Sequence, residues 1–142
     1  MPVIVGKVPA ELLQACMETD FAVHHVPQFS LRVGEQSPGL LGLFDKTNAL
    51  CAAYLTAYDP FGERRLASEN RMLQAALEEQ LKKRGMRFIA GASKHPSEKG
   101  LGEPRVLVLD LDLAAATALA RHYEQSVLIW CGRDGVPQLV AV

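Results

Sequence analysis

The chain has 142 residues, 49% of them apolar and 22% charged, with a formal net charge of -1 at pH 7. That length and composition fit a single globular domain, residues 1–142, with one well-formed core, and exclude a disordered chain. The balanced charge argues against a nucleic-acid partner, because phosphate neutralisation supplies most of that affinity. No apolar run reaches the roughly 18–20 residues that a membrane span needs.

Residues 9–18 read as a short amphipathic helix, with Pro9 at its first turn and Leu12, Leu13 and Cys16 on one face. Leu13-Gln14-Ala15-Cys16 has a superficial lipoprotein look, but Glu11 and Gln14 interrupt the apolar segment an export signal requires. Residues 19–25 and 29–33 then suggest a hairpin. Phe29, Leu31 and Val33 alternate with polar residues, and Pro27 argues for a sheet edge. Ser37-Pro38 opens a short helix with Ser as N-cap and Pro at the first helical position. Leu40, Leu41 and Phe44 form its apolar face.

Residues 49–57 are an apolar strand without alternation, the pattern of burial on both faces. Residues 68–84 form the clearest helix, with Ser68 as a candidate cap. Leu73, Leu77 and Leu81 repeat at i+4 with Met72 and Ala76 beside them, and Gly85 supplies the stop. A short strand at 87–92 leads into a polar, Gly- and Pro-rich stretch at 93–104, read as the longest loop. A buried strand at 106–111 follows, then a helix capped by Asp112 and running to about Tyr123. Strands at 126–131 and 138–142 flank a Gly132-Arg133-Asp134-Gly135 turn.

From residue 49 the order is strand, helix, strand, strand, helix, strand, strand. This predicts an α+β fold: a ferredoxin-like βαββαβ core over residues 49–131 plus a C-terminal strand. The sheet is expected to be mostly antiparallel, with the two main helices on one face. The N-terminal helix, hairpin and short helix are additions to that core.

Tyr54-Leu55-Thr56-Ala57-Tyr58-Asp59-Pro60, Ser68-Glu69-Asn70-Arg71, Glu103-Pro104 and the segment from Tyr123 to Trp130 stand in a specific order. With the earlier segment from Thr19-Asp20 through Ser37-Pro38, they resemble an uncharacterised bacterial family, domain of unknown function 3293. The resemblance implies a soluble bacterial protein and carries no activity.

The candidate site follows from the strand exit near Thr56. Polar groups at the end of a buried strand, facing a helix start, are where small ligands often bind. Thr56, Asp59, Glu69 and Asn70 are candidates, as are Glu103, at the end of the long loop, and Gln125, after the second main helix. Asp59 or Glu69 could bind a ligand amine or hydroxyl, or act as a base. The plainer alternative makes them turn, cap and surface residues. For Gln125 the alternative is satisfying terminal carbonyls of the helix. The four histidines, His24, His25, His95 and His122, lack metal-site spacing, so no metal or cofactor is expected. Three widely spaced cysteines, Cys16, Cys51 and Cys131, suggest reduced thiols and a cytoplasmic protein.

Two readings of function stand. One is a binder of a small polar ligand, with or without catalysis, at the cleft of these six residues. The other is a non-catalytic interaction module or homo-oligomer using an open sheet face or edge, because two helices cover only one face, unless the N-terminal elements cover the second.

Overall fold

The computed structural model describes residues 3–98, 100 and 102–142. Eight strands form one curled, mostly antiparallel sheet: β1 (Val3–Val5), β2 (Asp20–Val23), β3 (Phe29–Leu31), β4 (Ala52–Leu55), β5 (Phe88–Lys94), β6 (Glu103–Leu109), β7 (Val127–Cys131) and β8 (Pro137–Ala141). Their spatial order is β1-β8-β7-β4-β6-β5-β2-β3. Among the described residues only β1, which runs parallel to β8, departs from antiparallel pairing. Four helices join them: α1 (Ala10–Glu18), α2 (Pro38–Thr47), α3 (Ala67–Lys83) and α4 (Leu113–His122).

Helix α3 links β4 to β5 across the intervening β6, and α4 links β6 to β7 across β4. Both lie on the same face. Ala53, Leu55, Val106, Val108 and Leu128 of the sheet pack there against Leu77, Leu81, Ala116 and Ala120. The alanines of β4 and α4 let helix and sheet approach closely. The N-terminal elements cover the other face. Leu40, Leu43 and Phe44 of α2 are buried against Phe21, Leu31, Tyr54, Leu107, Ile129 and Leu139, with Leu13 and Cys16 of α1 packed on the same cluster. The sheet curls around α2 and is fastened beyond β3. Gly34 N–H donates to the Pro137 carbonyl and Ser37 N–H to the Gly135 carbonyl, both at 2.9 Å. Ser37 caps α2 through Leu40 N–H, as its sequence implies.

Three local expectations change. Helix α3 begins at Ala67 with Leu66 as its cap residue and no side-chain cap, so Ser68 does not serve. Met72 is 74% exposed and Ala76 is exposed too, because the buried stripe of α3 runs through Asn70, Gln74, Leu77 and Leu81. Two amides therefore occupy positions an apolar pattern would fill, for a reason found in the site. The stretch at 93–104 is less of a loop than its composition suggests. Ser93 pairs with Glu103 and Ala92 with Pro104, so the hairpin extends to both. Gly102 makes the tight return at φ 87°, where a Cβ would press on the Ser93 carbonyl. Strand β1 has no sequence expectation behind it; three residues carry too little periodicity.

Candidate functional site

Strand β4 exits into Thr56-Ala57-Tyr58-Asp59, and three side chains, Asn70 and Gln74 of α3 and Gln125 after α4, hold this turn together with backbone groups of Arg65 and Pro104. Gln74 Oε1 accepts from Ala57 N–H at 2.9 Å. Asn70 Oδ1 accepts from Asp59 N–H at 2.8 Å, while its Nδ2 donates to Asp59 Oδ1 at 2.8 Å. The same carboxylate oxygen accepts Arg65 N–H at 2.9 Å. Gln125 Nε2 donates to the Tyr58 carbonyl at 3.0 Å and to the Tyr123 carbonyl, at the end of α4, at 3.1 Å. Thr56 Oγ1 donates to the Pro104 carbonyl at 3.0 Å and accepts Tyr58 N–H at 3.1 Å. These bonds explain the amides on α3. The turn leaves the sheet ladder, so its buried N–H groups need side-chain acceptors.

Thr56, Asp59, Asn70 and Gln125 thus come together, mainly as the fastenings of one turn. Asp59 sits in the left-handed region at φ 47°, which a short polar side chain tolerates better than most. Gln74, absent from the sequence-based set, is the most buried member at 4% exposure, and its Nε2 has no hydrogen-bond partner among the described residues. Its i+4 spacing from Asn70 was the available signal, since both fall on one helical face.

Glu69 and Glu103 part company. Glu69 is exposed and lines a groove of about 550 Å³ with Phe61, Met72, Leu73 and Tyr123, on the side of α3 and α4. One residue of helical rotation separates it from the inward-facing Asn70. Glu103 lies at a second groove, of about 460 Å³, between α1 and the β5–β6 hairpin, with Ser93, His95, Glu98, Arg105 and Cys16. Burial pushes its carboxyl above the usual range. Arg105 and the Thr56 hydroxyl pull it down, and Asp59 and Glu98 add to the upward push.

Arg105, two residues on, points to the same side of the sheet as Glu103 because side chains alternate along a strand. Its Nε donates to Ser93 Oγ at 2.7 Å, and its guanidinium lies 5.6 Å from the Phe21 ring centroid and 5.8 Å from that of Tyr54. At the rim, His95 Nε2 meets Glu18 Oε2 at 2.8 Å. The hydrogen bond from Gln14 and the contact with His95 hold the Glu18 carboxyl below its usual range. Burial raises the Cys16 thiol above its ordinary range, leaving a poor nucleophile. Among the described residues, no group of three or more His, Cys, Asp or Glu side chains could hold a metal ion. No described helix is long and apolar enough to cross a membrane. The open sheet face expected for an interaction module is closed by α1 and α2, because residues before β4 supply the second layer.

No curated protein and no solved structure matches the chain. Residues 55–128 match the family described as protein of unknown function, DUF3293. That match runs from the last residue of β4 into β7 and spans more than half of the chain, which belongs to this family.

Proposed function

We propose that the protein binds a small polar ligand in the groove beside Glu103, with the fastened Thr56–Asp59 turn as its rigid support. The observation that carries this reading is a half-buried carboxylate with no salt-bridge partner among the described residues, at a concave site of about 460 Å³. Removing a carboxylate from water is costly unless something meets it, and grooves of roughly 300–1,000 Å³ are the ordinary size for small-molecule sites. Asn70, Gln74 and Gln125 enter indirectly: they fix the backbone from which Thr56 reaches Pro104, next to Glu103. No reaction is part of the proposal, since such a fold hosts many.

The reading includes a ferredoxin-like core over residues 49–131. The order β7-β4-β6-β5, with neighbours antiparallel and both connecting helices on one face, supports it. It also includes a cytoplasmic setting, which three free thiols favour. A thermal-shift screen of small polar metabolites on the wild type and Glu103→Gln tests the site. A solute that raises the melting temperature of the wild type and not of the variant is expected. A response unchanged by Glu103→Gln would remove the proposal.

A further inference from the structure

We infer that this groove receives small zwitterions of the amino-acid class, with the ligand carboxylate on Arg105 and its ammonium on Glu103. The inference rests on the proposed reading of the groove and adds its second recognition point, Arg105, together with the class of ligand.

Arg105 is built to meet an anion. The Tyr54 hydroxyl donates to the Ala22 carbonyl at 2.7 Å, which pins the ring in place. Gly91, across the strand pair from Arg105, makes room for that bond. A Cβ there would collide with the Ala22 carbonyl oxygen and press on the Tyr54 hydroxyl. Phe21 meets Tyr54 edge to face, with centroids 5.8 Å apart at 83°. The two rings and the Ser93 hydroxyl fix the plane and the Nε edge of the guanidinium. Its two terminal amino groups have no hydrogen-bond partner among the described residues, and the residue lines the groove. A fixed guanidinium with free paired donors is preorganised for a planar carboxylate, because little side-chain freedom is lost on binding.

The second charge comes from the same strand. Glu103 and Arg105 are two positions apart on one face, roughly 6.7 Å along the backbone. The carboxylate and ammonium attached to one carbon of an α-amino acid span such a gap with a hydrogen bond at each end. The surroundings select against doubly charged anions. Glu98 and Glu103 line the groove with the single guanidinium, and the groove's His95 is engaged by Glu18, so a phosphate or dicarboxylate would meet two carboxylates beside one free cation among the described residues. Leu12, Phe21 and Cys16 give the remaining wall an apolar stretch for a side chain.

Chemical-shift titration of the full-length, isotope-labelled protein tests this. The twenty L-amino acids are added one at a time, with lactate, ethanolamine, succinate and inorganic phosphate as comparisons. At least one amino acid should shift the Ser93, Glu103 and Arg105 amides saturably, and at least tenfold more tightly than any of the four comparison solutes. Arg105→Lys and Glu103→Gln should each weaken that binding at least tenfold. Ser93→Ala, a milder change that frees Nε, should weaken it less, and dispersed spectra would verify folding of all three. If ethanolamine binds through Glu103 while no amino acid does better, the zwitterion inference falls and the broader reading survives. If no solute shifts the groove amides, both fall. Amino-acid binding indifferent to Arg105→Lys also overturns the inference.

Discussion

Asn70→Ala should be among the most damaging single substitutions of a polar residue in this chain. Asn70 is 5% exposed, and its amide makes two bonds of 2.8 Å to Asp59, one to the backbone N–H and one to the carboxylate. Each such bond is worth about 1 kcal/mol net, and a buried donor left unpaired costs about 1–3 kcal/mol. Alanine deletes both bonds and strands Asp59 N–H, so the loss should be about 2–4 kcal/mol. Against a total stability of roughly 5–15 kcal/mol for a domain, this is large. In urea, with m of about 1–3 kcal/mol/M, the midpoint should fall by about 1 M or more at unchanged m. Asp59→Ala should cost a similar amount: Asn70 keeps the backbone bond, but Arg65 N–H and Asn70 Nδ2 lose their shared acceptor and alanine fits φ 47° less well. The double variant should be only slightly worse than Asn70→Ala, since the two residues share their bonds. A loss below about 0.5 kcal/mol for Asn70→Ala, the level of an ordinary surface change, would refute the view that this amide holds the turn.

Gly91→Ala should destabilise by about 1–3 kcal/mol, as overpacking does, and loosen the Tyr54 ring, which near-ultraviolet circular dichroism would register. The pH dependence of Glu103 has a definite sign. Its folded-state carboxyl titrates above the ordinary range, so the folded state binds the proton more tightly than the unfolded chain does. The associated stability is present at low pH and is lost as pH rises through the folded value. Glu103→Gln should therefore be more stable than wild type at neutral pH, with the difference shrinking on acidification in parallel urea melts. Thiol labelling under native conditions should spare Cys131, which is fully buried, and unfolding should expose it. Light scattering should return a monomer, since both sheet faces are occupied; a stable dimer would revive the interaction reading through a sheet edge.

The elements after residue 49 were legible because their signals are local: an unbroken apolar strand, an i+4 leucine row, an Asp cap at 112. The two-sided burial of β4 was also readable from its lack of alternation. That the N-terminal elements could cover the second face was readable as one alternative, but not the manner of it, because packing of α2 into a curl is a long-range event with no period. The apolar pattern of α3 misled by one position. Met72 looked like core because sequence reasoning credits hydrophobic side chains before amides, yet the turn's unpaired N–H groups require Asn70 and Gln74 inside. Of the six candidates, those on the turn were found as a group through their clustering. Arg105, which shares the groove with Glu103, was not among the six although strand alternation puts it beside Glu103, because a strand there was expected to begin only at residue 106.

The bonds from Gly34 and Ser37 to the carbonyls of Pro137 and Gly135 join segments about a hundred residues apart. During synthesis, the wrapping around Leu40, Leu43 and Phe44 stays incomplete until residues 135–137 have left the ribosome. A nascent chain of this protein therefore carries the apolar face of α2 partly uncovered while the next hundred or so residues are made, an interval in which exposed apolar surface invites aggregation.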